Sequence, residues 1–463
     1  YDLEQATGPL YQYIYQCLKD DIMTGGLQAG DKLPSKRTFA RNHGISTITI
    51  QNAYDQLISE GYIYTVPKKG YYVAKIRGMR QVPKETNLSL NIQRQEKKVE
   101  YAVDLSDNRM SPERFPFTVW AKIGREIMSD HKSELMEPSP AGGTRALREA
   151  VAEHLKSYRA MLVDPDQIVI GAGTEYLYGV LIQLLGKDRI YAIENPGYNK
   201  LVHIYGKHDI TCRFAGIDGC GVTVQGLRAS EADVAHISPN HHFPTGITMP
   251  ASRRYEVLSW ANESEGRYII EDDYDSEFRV GGRPIPTLFS IDGCEKVIYM
   301  NTFSKSLAPT IRISYMVLPV HLANRFYETL SFYACTVSNF EQYILAQFMK
   351  QGHFEKHINR MRLFYGRKRA RVLEIIKNTF TAGMYRIIEN DSGLHFIFEI
   401  NTGLPDGVIK ERLKKRGLKI SAVSDYEMLG KEGIEHQFIF NYSNIDADRI
   451  EGALRVFREE TEV

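Results

Sequence analysis

Apolar positions recur every three to four residues through Leu10, Ile14, Cys17, Leu18 and Ile22, bracketed by Pro9 and by Gly25-Gly26. That spacing predicts an amphipathic helix. A shorter helix is expected from Ser35 as its N-cap to about His43, where Gly44 ends it, and a third from the cap Ser46, with Ile50, Ala53 and Leu57 as its stripe before Gly61. The runs from Tyr62 to Val66 and Tyr71 to Ala74 then read as two short strands joined by the turn Pro67-Lys68-Lys69-Gly70. The order is helix, helix-turn-helix, hairpin wing.

From Lys75 to Glu100 the chain is polar and basic without apolar periodicity, which predicts an extended linker. Beyond it, strand-like runs alternate with helical ones: Gln167 to Ile170, Arg189 to Ile193, Val234 to Ile237, Tyr268 to Glu271, Val297 to Met300 and Ser314 to Leu318. That alternation predicts a parallel α/β sheet. A long basic helical pattern from about Glu341, followed by strands His395 to Ile400 and Phe438 to Tyr442, suggests a second, α+β subdomain. The expected division is a head over 1–75, a linker over 76–103 and a body over 104–463.

Composition narrows the class. At 463 residues the chain exceeds one ordinary core, since single cores stop growing near ~250–300 residues. With 43% hydrophobic and 25% charged residues it is neither disordered nor collagen-like. Five scattered cysteines without a Cys-x-x-Cys spacing point to a reducing compartment. No apolar run approaches the ~18–20 residues a membrane span needs, and the first residues are polar and acidic rather than signal-like, so a cytoplasmic protein without membrane association is expected. No metal-ligand spacing stands out. The net charge of +1 argues against nucleic acid until it is split: residues 1–100 carry 14 Lys+Arg against 10 Asp+Glu, and the rest 44 against 47.

A helix-turn-helix lays its second helix in the major groove and holds phosphates with the wing and the helix starts. The exposed side of the third helix offers Thr47, Ile48, Gln51 and Asn52, whose hydroxyl, methyl and amide groups suit base edges. Lys36 and Arg37, with Lys68 and Lys69 on the wing, are placed for phosphates, and Ser35, Ser46 and Thr49 at the helix starts join the expected DNA contacts. The alternative is a small helical interaction domain with a solvated polar face. The strings Leu33-Pro34-Ser35-Lys36-Arg37, Gly44 to Ile50, Leu57 to Gly61 and Lys69-Gly70-Tyr71-Tyr72-Val73 resemble a GntR-type winged helix across residues 8–74, although the family usually carries Arg where this chain has Thr47.

In the body, chemistry-bearing residues follow strand ends, where ligands of open α/β sheets bind. Asp272 and Tyr274 follow one strand, Thr302, Ser304 and Lys305 another, with Arg312 seven residues on, and Tyr198 a third. Gly173 and Thr174 open a helix whose N–H groups could hold a phosphate, though such a glycine turn alone is ordinary. An amine, a carboxylate, a phenol, an aromatic face and an anion cup form the kit that an aldehyde cofactor with a pyridine ring and a phosphate tail requires. Singly, each has a structural explanation: a solvated lysine, a capping aspartate, a core tyrosine.

Together with Ala141-Gly142-Gly143 to Arg148, PNHHFPTG (239–246), IEDDYDSEF (270–278) and NTFSKSLAPTIRISY (301–315), these residues resemble the fold-type I pyridoxal-phosphate enzymes of the aspartate aminotransferase superfamily, from about Asp104 onward. The resemblance implies pyridoxal 5'-phosphate as cofactor, Lys305 as the catalytic-type lysine of the internal aldimine, Asp272 at the pyridine nitrogen, Tyr274 at the ring hydroxyl and Tyr198 stacked on the ring. Gly173, Thr174, Thr302, Ser304 and Arg312 would line the phosphate cup.

A GntR-type winged helix, a linker and an aminotransferase-like domain form the layout of MocR/GabR-type bacterial regulators. The resemblance implies a head-to-tail, domain-swapped homodimer on double-stranded operator DNA, with pyridoxal phosphate, an amine or an amino acid as effector. Members that sense amino acids hold the carboxylate with arginines. Here Lys200 stands at one such place and His436-Gln437 at the other, with Arg386 as a substitute, while Phe243 replaces an asparagine common in true aminotransferases. Loss of a bidentate arginine grip favours pyridoxal phosphate itself, or an amine without an α-carboxylate, as the signal. The rival readings are an active transaminase with a DNA-binding head and a dead scaffold that only dimerises.

Overall fold

The computed structural model describes the chain except residues 2, 4, 5, 7, 77–100, 107–111, 280–284, 389–392, 431–433, 444, 446 and 462–463. The expected linker therefore lies almost wholly outside the described residues. The chain divides into two compact units, Tyr1–Lys98 and Val99–Val463.

In the first unit, α1 (Leu10–Thr24) precedes the short strand β1 (Lys32–Leu33), α2 (Lys36–His43), α3 (Thr47–Ser59), β2 (Ile63–Val66) and β3 (Gly70–Val73). Local chemistry sets the helix starts. The Ser35 hydroxyl accepts the Thr38 N–H and the Ser46 hydroxyl accepts the Thr49 N–H, each at 3.1 Å. Gly44 ends α2 at φ 68°, a left-handed conformation that glycine adopts without strain. Ile14, Leu18, Ile50, Ala53, Tyr54 and Leu57 are buried and join α1 to α3. The hairpin wing is completed by β1, which pairs antiparallel with β3 through Lys32 opposite Tyr72. Two residues leave no alternation to read, so that strand was not expected.

In the second unit an eight-stranded sheet runs in the order Ile168–Gly171, Ser314–Val317, Val297–Thr302, Tyr268–Asp272, Val234–Ile237, Ile190–Asn195, Thr211–Asp218, Gly221–Val222. The expectation of a parallel sheet needs correction. Its centre is parallel, but Ser314–Val317 lies antiparallel to both neighbours. Only the segment from Phe303 to Ile313 joins it to Val297–Thr302, and a parallel crossover takes about a dozen residues or more. Helices cover both faces. Leu177, Leu181 and Leu184 of Thr174–Leu185 pack on one side, while Leu147, Val151, Leu345 and Phe348 pack on the other.

A four-stranded antiparallel sheet, Tyr385–Ile388, His395–Ile400, Gln437–Asn441 and Ser421–Ala422, forms the smaller subdomain. Phe396, Phe398, Phe438 and Phe440 turn to a core shared with the helices His353–Thr379 and Ala447–Thr461, leaving His395 and Ile397 on the opposite face. No helix among the described residues is long and apolar enough to cross a membrane.

Candidate functional site

Strand Tyr268–Asp272 ends on the residue that organises the site. Tyr178, one helical turn after Thr174, donates its hydroxyl to Asp272 Oδ2 at 2.9 Å, and Thr174 is hydrogen-bonded to the same tyrosine. His236 Nε2, from the neighbouring strand, stands 3.5 Å from that oxygen. Asp272 Oδ1 is buried without a partner. A buried acceptor left unmatched costs about 1–3 kcal/mol, so this oxygen calls for a donor from a ligand.

Behind it, Glu194 accepts the Ser238 N–H at 2.9 Å, and burial pushes its carboxyl up to about 8. His242 Nε2 lies 3.6 Å from Glu194, but burial pushes this imidazole down to about 3. Distance alone would make the two an ion pair; burial leaves both neutral near pH 7.

Lys305 is half-buried in the single-turn helix Phe303–Ser306. Thr302 caps that turn: its Oγ1 accepts the Ser304 N–H at 3.1 Å and the Ser314 hydroxyl at 2.8 Å. His357, from the long helix, meets the Ser306 carbonyl at 3.0 Å and fixes the far end. Burial, with the His241 ring 4.7 Å away, pushes His395 down to about 3.

Tyr274 lies 3.2 Å from His241 Nδ1, which is also 2.8 Å from Asp275 Oδ2. A carboxylate only accepts, so Nδ1 carries the shared proton and leaves the phenol hydrogen of Tyr274 free to point at a ligand. Burial, with Asp275 and Asp272 nearby, raises the Tyr274 phenol well above its ordinary value and keeps it a donor.

The glycine turn faces the same edge. Gly173 has φ 95°, and a Cβ there would stand 2.8 Å from Arg312 Cζ, so glycine gives the guanidinium its place over the start of Thr174–Leu185. Arg312 Nη2 donates to the Ala172 carbonyl at 3.3 Å and lies 3.7 Å from Glu175, with half its side chain exposed. Tyr198 is 42% exposed and meets Phe243 edge-on at 5.9 Å.

Thus Asp272, Tyr274, Lys305, Thr302, Ser304, Gly173, Thr174, Arg312 and Tyr198 all lie along the C-terminal edge of the sheet. Sequence reasoning missed Tyr178, His236, His241, Asp275 and His395. Tyr178 was recoverable from its one-turn spacing to Thr174; the others are assembled by the fold.

The expected effector residues are occupied within the protein. Lys200 is paired with Glu175. Gln437 donates to Glu399 at 3.0 Å, and Arg386, largely exposed, donates to the same carboxylate at 2.8 Å. Phe243 packs with Tyr426, Ile397, Val423 and Ile439 in an apolar wall.

On the first unit, Thr47, Ile48, Gln51 and Asn52 are exposed along α3, and Arg37, Lys68 and Lys69 are exposed beside it. Lys36 is half-buried, its ammonium 5.7 Å from the Tyr71 ring. The hydroxyls of Ser35, Ser46 and Thr49 take part in the helix caps.

A winged helix joined to an α/β unit with this edge defines a DNA-binding head fused to an aminotransferase-like body. Residues 101–401 match the aminotransferase class I and II family and residues 10–73 the bacterial regulatory proteins of the gntR family. The chain is 36% identical over 419 residues to the HTH-type transcriptional regulator YdeL of Bacillus subtilis, covering 90% of this chain and 89% of that one. It is 28% identical to the probable rhizopine catabolism regulatory protein MocR of Rhizobium meliloti, covering 90% and 87%. With the pyridoxine biosynthesis regulator PdxR of Corynebacterium glutamicum it shares 26%, over 94% and 92%. Among solved structures, a kynurenine aminotransferase of Pyrococcus horikoshii superposes with a TM-score of 0.68 at 23% identity, covering 79% of this chain and 93% of that one, which shows the fold. The chain belongs to the HTH-type transcriptional regulators of the MocR/PdxR family, with a GntR head and an aminotransferase class I/II body.

Proposed function

We propose that this regulator is a cytoplasmic sensor in which residues 104–463 bind pyridoxal 5'-phosphate and residues 1–75 bind operator DNA. The observation that carries the cofactor reading is the buried, unpartnered Oδ1 of Asp272, an acceptor suited to a protonated pyridine nitrogen. The rest of the edge suits the same molecule. Tyr274 offers a donor to the ring hydroxyl, Tyr198 an aromatic face, Lys305 an amine, and Gly173, Thr174, Thr302, Ser304 and Arg312 an anion cup. When bound, the cofactor supplies an aldehyde that reacts reversibly with amines.

The signal is pyridoxal phosphate itself or an amine without an α-carboxylate. Lys200 and Arg386 are already matched by carboxylates, and the wall around Phe243 is apolar. A fixed bidentate grip on a carboxylate is missing from these positions. A head-to-tail, domain-swapped homodimer agrees with the large apolar side chains exposed at Phe117, Met136 and Phe332, area that a second copy can cover. Each ligand must favour one arrangement of that dimer if it is to shift DNA affinity.

Titrating the full chain with pyridoxal phosphate, with and without operator DNA, tests the reading. Saturable absorbance, lost in Lys305→Ala, and DNA affinity that changes with cofactor are expected. Operator binding indifferent to the cofactor sinks the sensor. The intact Lys305, Asp272 and Tyr274 set also supports a second reading, a working transaminase, which turnover of an amino donor and a keto acid at about 1–10³ s⁻¹ would decide.

A further inference from the structure

We infer that α3 selects adenine and thymine: the head reads an A·T half-site through amide and methyl groups, without a guanine-specific cation. This rests on the DNA-binding reading of the head and narrows its ligand.

The sequence of α3, TITIQNAYDQLIS, contains no lysine or arginine. Its inward stripe is Ile50, Ala53, Tyr54 and Leu57, all buried. Thr47, Ile48, Gln51, Asn52 and Asp55 occupy the opposite face and are exposed, Ile48 at 70%. The first four lie in the N-terminal half of the helix, the part of a recognition helix that reaches base edges. The cations of the helix-turn-helix and wing lie off α3 itself, Arg41 in the last turn of α2 and Lys32 on β1 among them. Lys36 and Arg37 begin α2 and Lys68 and Lys69 form the wing turn, positions suited to phosphates.

The donor and acceptor patterns of the bases then decide. Guanine presents two acceptors, O6 and N7, in the major groove and is matched by the paired donors of Arg or by Lys. Adenine presents an acceptor and a donor, which a side-chain amide matches in both directions. Gln51 and Asn52 are such amides, and neither is engaged among the described residues, whereas Gln56 one turn further is bonded to Glu60 at 3.1 Å. Thymine adds a methyl group, and the exposed Ile48 and the Thr47 methyl are the apolar groups available to meet it. Asp55, a turn beyond, offers acceptors only, which suit the amino group of adenine or of cytosine and not the O6 and N7 of guanine.

The test selects duplexes from a randomised pool with the full chain and pyridoxal phosphate at about 0.15 M salt. Single-position replacements in the selected site are then measured by fluorescence anisotropy. A·T pairs are expected at the invariant positions, with replacement by G·C weakening binding roughly 5- to 150-fold. In Gln51→Ala or Asn52→Ala that ratio at one position collapses toward one. Gln51→Arg moves the preference at its position to G·C, a gain that misfolding cannot produce. Invariant guanines whose N7 methylation blocks binding, with an unchanged motif for Gln51→Ala and Asn52→Ala, overturn the inference and leave DNA binding intact. If no duplex is enriched even at low salt, the DNA-binding reading itself fails and the inference with it.

Discussion

Asp272 and Glu194 are carboxyl groups on adjacent parts of one sheet edge, and their surroundings treat them differently. Tyr178 donates to Asp272, while Glu194 has one backbone N–H and is otherwise buried. The raised Glu194 group stays neutral near pH 7 and adds no second charge beside Asp272. Its neutral form stabilises the fold fully below the ordinary value of 4.5. That contribution is lost as pH rises toward 8, because the unfolded chain ionises first, by at most about 1.4 kcal/mol per pH unit. Thermal unfolding between pH 5 and 8 should therefore show a steeper decline for the natural chain than for Glu194→Gln, which keeps an acceptor for Ser238. Equal slopes would remove Glu194 from this account. The candidate residues legible in the sequence were those sitting in compact strings, Asp272 and Tyr274 in one and Thr302, Ser304 and Lys305 in another. Tyr178, His236 and His395 were not, because what matters about them is the neighbour each meets across 94, 36 and 154 residues respectively, at Asp272, Asp272 and His241.

Caps and turns show how far local chemistry reaches. Ser46 begins α3 through one hydrogen bond, so Ser46→Ala should destabilise the head by about 1 kcal/mol, read from denaturant unfolding of the winged helix. The turn at Gly173 combines a left-handed φ with a guanidinium where a Cβ would be. Gly173→Ala should displace Arg312 and weaken pyridoxal-phosphate binding by roughly tenfold or more, since even 1.4 kcal/mol of lost anion contact has that effect. An unchanged dissociation constant in an absorbance titration would place the phosphate elsewhere. Helices with cap residues were legible for the same reason: stripe, cap and stop signal lie within a few residues. The antiparallel course of Ser314–Val317 and the strand Lys32–Leu33 were not, because pairing direction depends on the partner strand and on the length of chain between them.

For the whole molecule, charge distribution matters more than its sum. Lys68 and Lys69 stand exposed on the wing, next to a recognition helix that carries no cation. Replacing both with alanine should weaken binding to all sequences alike and reduce the slope of log affinity against log salt by about 2, with the selected motif unchanged. A changed motif with the original slope would assign these lysines to bases instead of phosphates. The net charge of +1 obscures this arrangement because a basic head and linker are added to a slightly acidic body.

The sequence by itself determined the two-part layout, the winged-helix order, the strand-helix alternation and the strings that carry Lys305, Asp272 and Tyr274. All of these depend on residues close along the chain, where periodicity, caps and turns act. Only the tertiary structure decided which oxygen of Asp272 is left for a ligand, which carboxylates hold Lys200 and Arg386, and that His241 and Asp275 fix the phenol of Tyr274. Those outcomes depend on burial and on partners brought together by packing, and neither is encoded in the spacing of the residues along the chain.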